Sequence, residues 1–519
     1  MSRVASLPPV VVDEPADLDA HAVLAVADGA AVDLSAGLLA QLARTRRLTL
    51  AALEHAGPVY GVTTGMGHQS NLAVGATDQP AYQDDLMLAR AVGTAPWLDD
   101  RTVRAAVAVR LRTLLDPEAG ASPDLTRALV AVLASDVRPA VPTTGNGAAG
   151  EIIPLAHLGG LLTGSGEALD ASGDTVAASD ALSSAGLAPY TFGAKEGVAF
   201  LQGVPVATAR AVLLARDARL AAAGGLAAWA GEVAAVRAPR DPYHPALARA
   251  DAMLAVVHAT LLDLAGGEDA PRSLQAPVSF RVTGAALAHL LRTVDHLDAA
   301  VARALDGVTT SPALVEGRFL GTAGFDGFDL AAGLDAARLA VLHVAETGTA
   351  RLHRMLDARV TGLAPQLSGA PGRQAGLVAL HKRAAGLVHA ARRASAPASL
   401  GAVETSLGQE DVQSFALESA AALDEAVAVL GDVTLCEVVA LHRARALDQT
   451  VPRGTEALNL VLRQGFERLP DGTDDRPFGR DVGDLRHDLG VGWARDVLHV
   501  ILARASQPAH ESPESIPDH

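Results

Sequence analysis

The chain is poor in the residues that define several protein classes. A single cysteine, Cys436, in 519 residues excludes an intramolecular disulfide framework and a cysteine-based zinc site. Aromatic residues make up 3%, and lysine occurs twice, at Lys195 and Lys382, so 42 − 2 = 40 of the basic residues are arginine. The net charge is −17, and no basic stretch suggests a nucleic-acid partner. No uncharged apolar run of about 18 residues suggests a membrane span, and the first residues lack the apolar core of a secretion signal. These absences predict a cytoplasmic chain with no nucleic-acid or membrane partner. No H-E-x-x-H, phosphate loop or dinucleotide fingerprint is present, so no metal or nucleotide cofactor is expected.

What is abundant is Ala, Leu and Val: hydrophobic residues reach 49% against 19% charged. Ala and Leu favour helices, whereas strands favour aromatic and β-branched residues. Apolar residues recur at i, i+3, i+4 over 103–115, 125–133, 155–162, 198–222, 246–264, 284–305, 330–356, 375–393, 410–430 and 435–447. The expectation is an all-α fold with a long central helical bundle, assembled as a homo-oligomer because some helices are apolar on more than one face. Small hairpins are expected around Asp28-Gly29 (26–34) and at 167–178. Residues 1–20 read as a flexible arm and 506–519 as a disordered tail. The rest, 21–505, reads as a single domain, loop-rich over 21–200 and a helical bundle over 200–505.

Four glycine-rich loops interrupt this pattern: Tyr60–Gly67 (YGVTTGMG), 143–151 (TTGNGAAGE), Gly193–Gly203 (GAKEGVAFLQG) and Gly321–Gly327 (GTAGFDG). Each holds polar residues beside a helix, as the parts of one site would.

These blocks, with QDDLMLARAVG from Gln83, QAPVSFR from Gln275 and TSLGQED from Thr405, resemble in order the motifs of the aromatic amino acid ammonia-lyases. The resemblance runs from about Val26 to Ala505. It implies an all-α homotetramer acting on a small amino-acid carboxylate, with sites built from several subunits. Tyr60 matches the family's tyrosine base and Arg281 its carboxylate clamp. A tyrosine of ordinary pKa near 10 needs a cationic neighbourhood to act as a base, and a guanidinium binds a carboxylate with two parallel bonds. Gln202, Gln275, Phe325 and Gln409 match substrate-binding positions, Glu410 is a second candidate base, and Lys195-Glu196 opens a helix near the family's site.

The departures are concentrated at the electrophile. The family forms a methylidene-imidazolone from Ala-Ser-Gly, losing the serine hydroxyl to create the methylidene. Here the positions read Ala148-Ala149-Gly150, so that route is chemically closed and the group is expected to be absent. A literal Ala171-Ser172-Gly173 lies downstream, in the second hairpin, where Ser-Gly is turn chemistry. The family's second tyrosine is Val278, its neighbouring aspartate Ala276, its post-triad aspartate Glu151, and its Ser-His pair Ala89-Arg90. Arg90 adds a cation where the family selects the side chain, suiting an anionic or strongly polar group. The leading expectation is therefore a lyase-like enzyme working without the methylidene-imidazolone, on a substrate with a good leaving group or an activated β-proton. The alternatives are a non-catalytic ligand-binding relative and an ordinary amino acid ammonia-lyase.

Overall fold

The computed structural model describes residues 7–267, 270–393, 395–489 and 493–506. They are mostly helical, with three small sheets. Four helices are much longer than the rest: Pro205–Ala235, Val278–Asp306, Phe328–Met355 and Ala416–Leu447. Ala and Leu dominate them, and small side chains let neighbouring backbones approach. The stretch Glu196–Ala235 holds a window of mean hydropathy 1.6, apolar enough by composition to cross a bilayer, but that window is wholly buried within the protein.

Several boundaries differ from the periodicity for local reasons. The apolar pattern over 198–222 is broken at Gln202, because Gly203 adopts φ +93° and Pro205 opens the next helix. The two patterns over 410–430 and 435–447 are one helix, Ala416–Leu447, while 410–415 is loop ending at Phe415 with φ +52°. No hairpin forms around Asp28-Gly29. Asp28 instead caps the helix Ala20–Ala27, Gly29 turns the chain at φ +108°, and Val32–Leu34 pairs in parallel with Val10–Val12. That pairing corrects the expected flexible arm over its described part, because the strand Val32–Leu34 needs a partner and the apolar Val10–Val12 supplies it; residues 1–6 lie outside the described residues. The second hairpin is present, with Glu167–Leu169 antiparallel to Thr175–Ala177. Ser172 and Gly173 form its turn, their N–H groups donating to Asp170. Of the expected tail, 507–519 lies outside the described residues.

By its contacts the chain divides into two compact units. The first comprises 1–214, 297–335 and 397–421; the second comprises 215–296, 336–396 and 422–519. The candidate site's supports lie in the first. Gln83, fully buried, donates to the Gly61 carbonyl at 2.9 Å and accepts from Val198 N–H at 3.2 Å. It thereby ties the Tyr60 loop to the helix Glu196–Leu201. That helix begins at Lys195, whose backbone is left-handed (φ +72°) and whose side chain is fully buried. Its ammonium donates to the Ala119 carbonyl at 2.6 Å, and Glu196 accepts from Ser122 N–H, Gly193 N–H and the Tyr190 hydroxyl at 2.7–2.8 Å. The pair is a structural anchor.

The second unit is organised around a buried charge. Arg351 bonds Glu232 at 2.7 Å, Glu437 at 2.6 Å and the Thr283 hydroxyl at 2.6 Å, and the three charged side chains are at most 1% exposed. Burial and then the nearby Glu437 raise Glu232 well above the ordinary carboxylate range.

Two outcomes follow. Removing the shared cation in Arg351→Met leaves two buried acids facing each other and should destabilise the protein by about 3–5 kcal/mol, measured as a fall in the denaturation midpoint. Lys195 titrates in the fold at about 7, mainly through burial, against 10.5 for an ordinary lysine. Below pH 7 the folded and unfolded chains both hold the proton. Between these values only the unfolded chain does, so this residue's contribution favours folding progressively as pH rises through the window. The wild type should therefore gain stability relative to Lys195→Met between about pH 7 and pH 9.5. A difference that stays constant with pH would show that Lys195 does not titrate there.

Candidate active site

The Tyr60 loop is wound around one carbonyl. Val59 accepts backbone N–H groups from Val62, Thr63 and Thr64 at 3.0–3.3 Å, and its own N–H donates to the Thr63 hydroxyl at 2.8 Å. Gly61 has φ +67°, and a Cβ there would meet Val198 at 2.5 Å, so only glycine fits. The coil leaves Tyr60 half-buried, its hydroxyl accepting Gly67 N–H at 2.8 Å. Burial, and less strongly Glu410, raise the Tyr60 pKa above 10, while the Gly67 N–H and the charge of Arg90 oppose the rise.

The second loop carries Ala148-Ala149-Gly150. Gly145, Gly147 and Gly150 all have positive φ, so the chain reverses tightly. Asn146 spans the reversal: its amide donates to the Gly150 carbonyl, and its oxygen accepts Ile153 N–H at 3.4 Å. Glu151, 1% exposed, closes the loop. Its carboxylate accepts Val206 N–H and Ala207 N–H, both at 2.6 Å, at the start of Pro205–Ala235, and its own N–H donates to the Gly203 carbonyl. Burial pushes this acid up to about 8, against the pull of the two N–H donors and of Arg110.

The third loop presents Glu410. Ser406 and Leu407 are left-handed, and Thr405 pairs with Glu410 as an isolated antiparallel bridge. Buried Gln413 pins the turn by donating to the Thr405 hydroxyl and the Glu410 carbonyl. The Glu410 carboxylate accepts from the Thr405 and Ser406 hydroxyls at 3.2 and 3.3 Å and from Ala149 N–H at 3.3 Å. The acid therefore reaches the loop that carries the altered triad.

These loops enclose a cavity of about 500 Å³, and Tyr60, Ala149, Gln202, Phe325, Gln409 and Glu410 all line it. A second cavity of about 460 Å³ shares Tyr60 and Glu410 and is lined by Arg90 and Ala148. Gly150 is buried and lines neither. Gln275 and Arg281 are not among these residues. They belong to the second unit, where they line a cavity of about 400 Å³ with Arg272 and Arg359. The Arg281 Nε is buried there without a hydrogen-bond partner. Asp411 and Phe319 in the first cavity, and Asn146 and His68 in the second, were not among the expected site residues. Asp411 and Asn146 stand inside matched blocks and could have been read from them; Phe319, on the small strand Arg318–Leu320, carries no motif. Among the described residues no cluster of three or more His, Cys, Asp or Glu could hold a metal ion.

Comparison with known proteins agrees with this architecture. The chain is 31% identical over 492 residues to a histidine ammonia-lyase of Aromatoleum aromaticum, covering 90% of this chain and 92% of that protein. It is 28% identical over 447 residues to the histidine ammonia-lyase of Rhodospirillum rubrum, covering 84% and 87%. Among solved structures, tyrosine aminomutase from Streptomyces globisporus aligns with a TM-score of 0.87 at 25% identity, over 96% of this chain and 99% of that one. The ergothioneine-degrading enzyme ergothionase from Treponema denticola aligns with a TM-score of 0.85 at 18% identity, over 92% and 97%, a likeness of fold. The aromatic amino acid lyase profile matches residues 18–464, and the chain belongs to that family.

Proposed function

We propose that this chain catalyses elimination from an amino-acid-like carboxylate whose leaving group departs without a methylidene-imidazolone. The observation that carries the reading is Ala149. Its side chain is a methyl group in the cavity that also holds Tyr60 and Glu410. Making the electrophile requires a serine hydroxyl to be lost at this position, so the residues present do not fit that group. The proton-handling residues beside it remain.

The cavity chemistry favours a cationic leaving group. Tyr60, Phe319 and Phe325 bring three aromatic rings to its wall, and Glu410 and Asp411 bring two carboxylates. Ring faces and carboxylates attract a quaternary ammonium. Such a group leaves as a neutral tertiary amine and needs no electrophile to activate it. Ergothioneine, the compound that the Treponema enzyme degrades, is a trimethylated betaine, and this supports a substrate of that type.

The reaction needs a base at the β-carbon. Tyr60 or Glu410 removes the proton, the C–H electron pair becomes the new double bond, and the C–N bond breaks as the amine leaves. With its pKa raised, Tyr60 holds its own proton more tightly until a cation arrives. A bound ammonium would act on the phenol in the same direction as Arg90, lowering its pKa. Gln275 and Arg281 are inferred to hold the substrate carboxylate in the site of another copy of the chain, in a homotetramer. The unpartnered, buried Nε of Arg281 is consistent with a ligand-binding role.

The intact mass should equal that of the encoded chain, and a panel of betaine-type and α-amino acids should yield an absorbing conjugated acid from the betaine members. Tyr60→Phe should lower kcat by roughly 10²–10⁴ if Tyr60 is the base, with little change in KM; an equal effect on both would point to Glu410 or to a packing role for Tyr60. A mass short by two waters with turnover of ordinary amino acids would replace this reading with ammonia-lyase chemistry. Ligand binding with no turnover anywhere in the panel would favour a non-catalytic relative.

A further inference from the structure

We infer that Arg90 selects substrates bearing a second anionic group, remote from the carboxylate next to the reacting carbon. The inference deepens the elimination reading, on which it rests for the identity of the site. Its basis is the two-lobed form of that site. The cavities of about 500 and 460 Å³ share Tyr60, Gly67, Ile152 and Glu410, so the two proton-handling side chains border both lobes. The first lobe is lined by aromatic rings and carboxylates. The second has Arg90, with Asn146, Thr405 and Ser406, in its wall.

Arg90 is uncommitted in a way that suits a ligand. It follows the helix Gln79–Leu88 and is half-buried. It makes one hydrogen bond, from Nη1 to the Leu86 carbonyl at 3.0 Å. Among the described residues no carboxylate forms an ion pair with it, so Nε and Nη2 remain as donors. A guanidinium at a cavity wall without a counter-ion attracts an oxyanion, and its planar fork matches a carboxylate or sulfonate. Its charge is felt at the site, since it lowers the pKa of both Tyr60 and Tyr82 against the effect of burial. A substrate reacting beside Tyr60 and Glu410 would place its cationic leaving group among the rings and acids of the first lobe. The rest of its side chain then extends into the second, toward Arg90.

The test is ligand binding to the full chain with matched pairs of unsaturated acids shaped like elimination products. Trans,trans-muconate carries a distal carboxylate that sorbate lacks; para-carboxycinnamate and cinnamate form a longer pair. Titration calorimetry on the wild type should show the dianion of at least one pair binding about tenfold or more tightly than its partner. Arg90→Gln should abolish that preference while leaving the monoanion's affinity unchanged, and Arg90→Lys should keep part of it. Unchanged thermal unfolding of both variants would show that the loss is not one of folding. No preference for the dianion in the wild type, no binding of either dianion, or a preference that survives Arg90→Gln would overturn the inference. So would an equal loss for both members of a pair, which would assign Arg90 to the carboxylate they share. None of these results touches the elimination reading, which is decided separately by intact mass and by turnover of Tyr60→Phe.

Discussion

Glu151 is the contact on which the geometry of the site depends. Its side chain accepts two N–H donors at the start of the helix Pro205–Ala235, and its main chain is held by Gly203. The helix end attracts an anion, whereas burial penalises one. The strongly raised pKa records that opposition, and the two short bonds explain how a buried acid is tolerated. The consequence is positional. The loop before Glu151 holds three glycines at positive φ, and without a fixed end it could adopt many conformations. Anchored there, it holds Ala149 within hydrogen-bonding reach of Glu410.

The two neighbouring loops are fixed by side-chain amides in a similar manner. Gln83 ties the Tyr60 coil to the helix Glu196–Leu201, and Gln413 pins the turn before Glu410. In each case an amide that both donates and accepts bridges two stretches of backbone. The cavity-lining positions Tyr60, Ala149 and Glu410 thus come from loops far apart in sequence, each held by polar side chains. A polar side chain is an economical anchor for irregular backbone, because it satisfies groups that no helix or strand would pair.

Much of the fold was legible because its helices carry their own periodicity. What periodicity could not show were the breaks, which depend on single residues such as Gly203 and Phe415. The parallel pairing of Val10–Val12 with Val32–Leu34 was also hidden, since a three-residue strand has too few positions to show alternation. The site was legible where motifs marked it: Tyr60, Ala149, Gln202, Phe325, Gln409 and Glu410 share one cavity. Arg281 and Gln275 carry equally clear motifs but belong to the other unit. A motif fixes the type of residue, not which surface it completes. Glu151 follows the altered triad in the sequence, and its hydrogen bonds assign it to a helix end.

The near absence of lysine has a practical consequence that follows from where the two residues lie. Lys195 is fully buried and its amine is engaged by a backbone carbonyl, while Lys382 is exposed. Among lysine side chains, amine-directed reagents acting on the folded protein would therefore meet one accessible target. A dye, a surface linker or a spectroscopic label attached there would mark a single position, on the second unit.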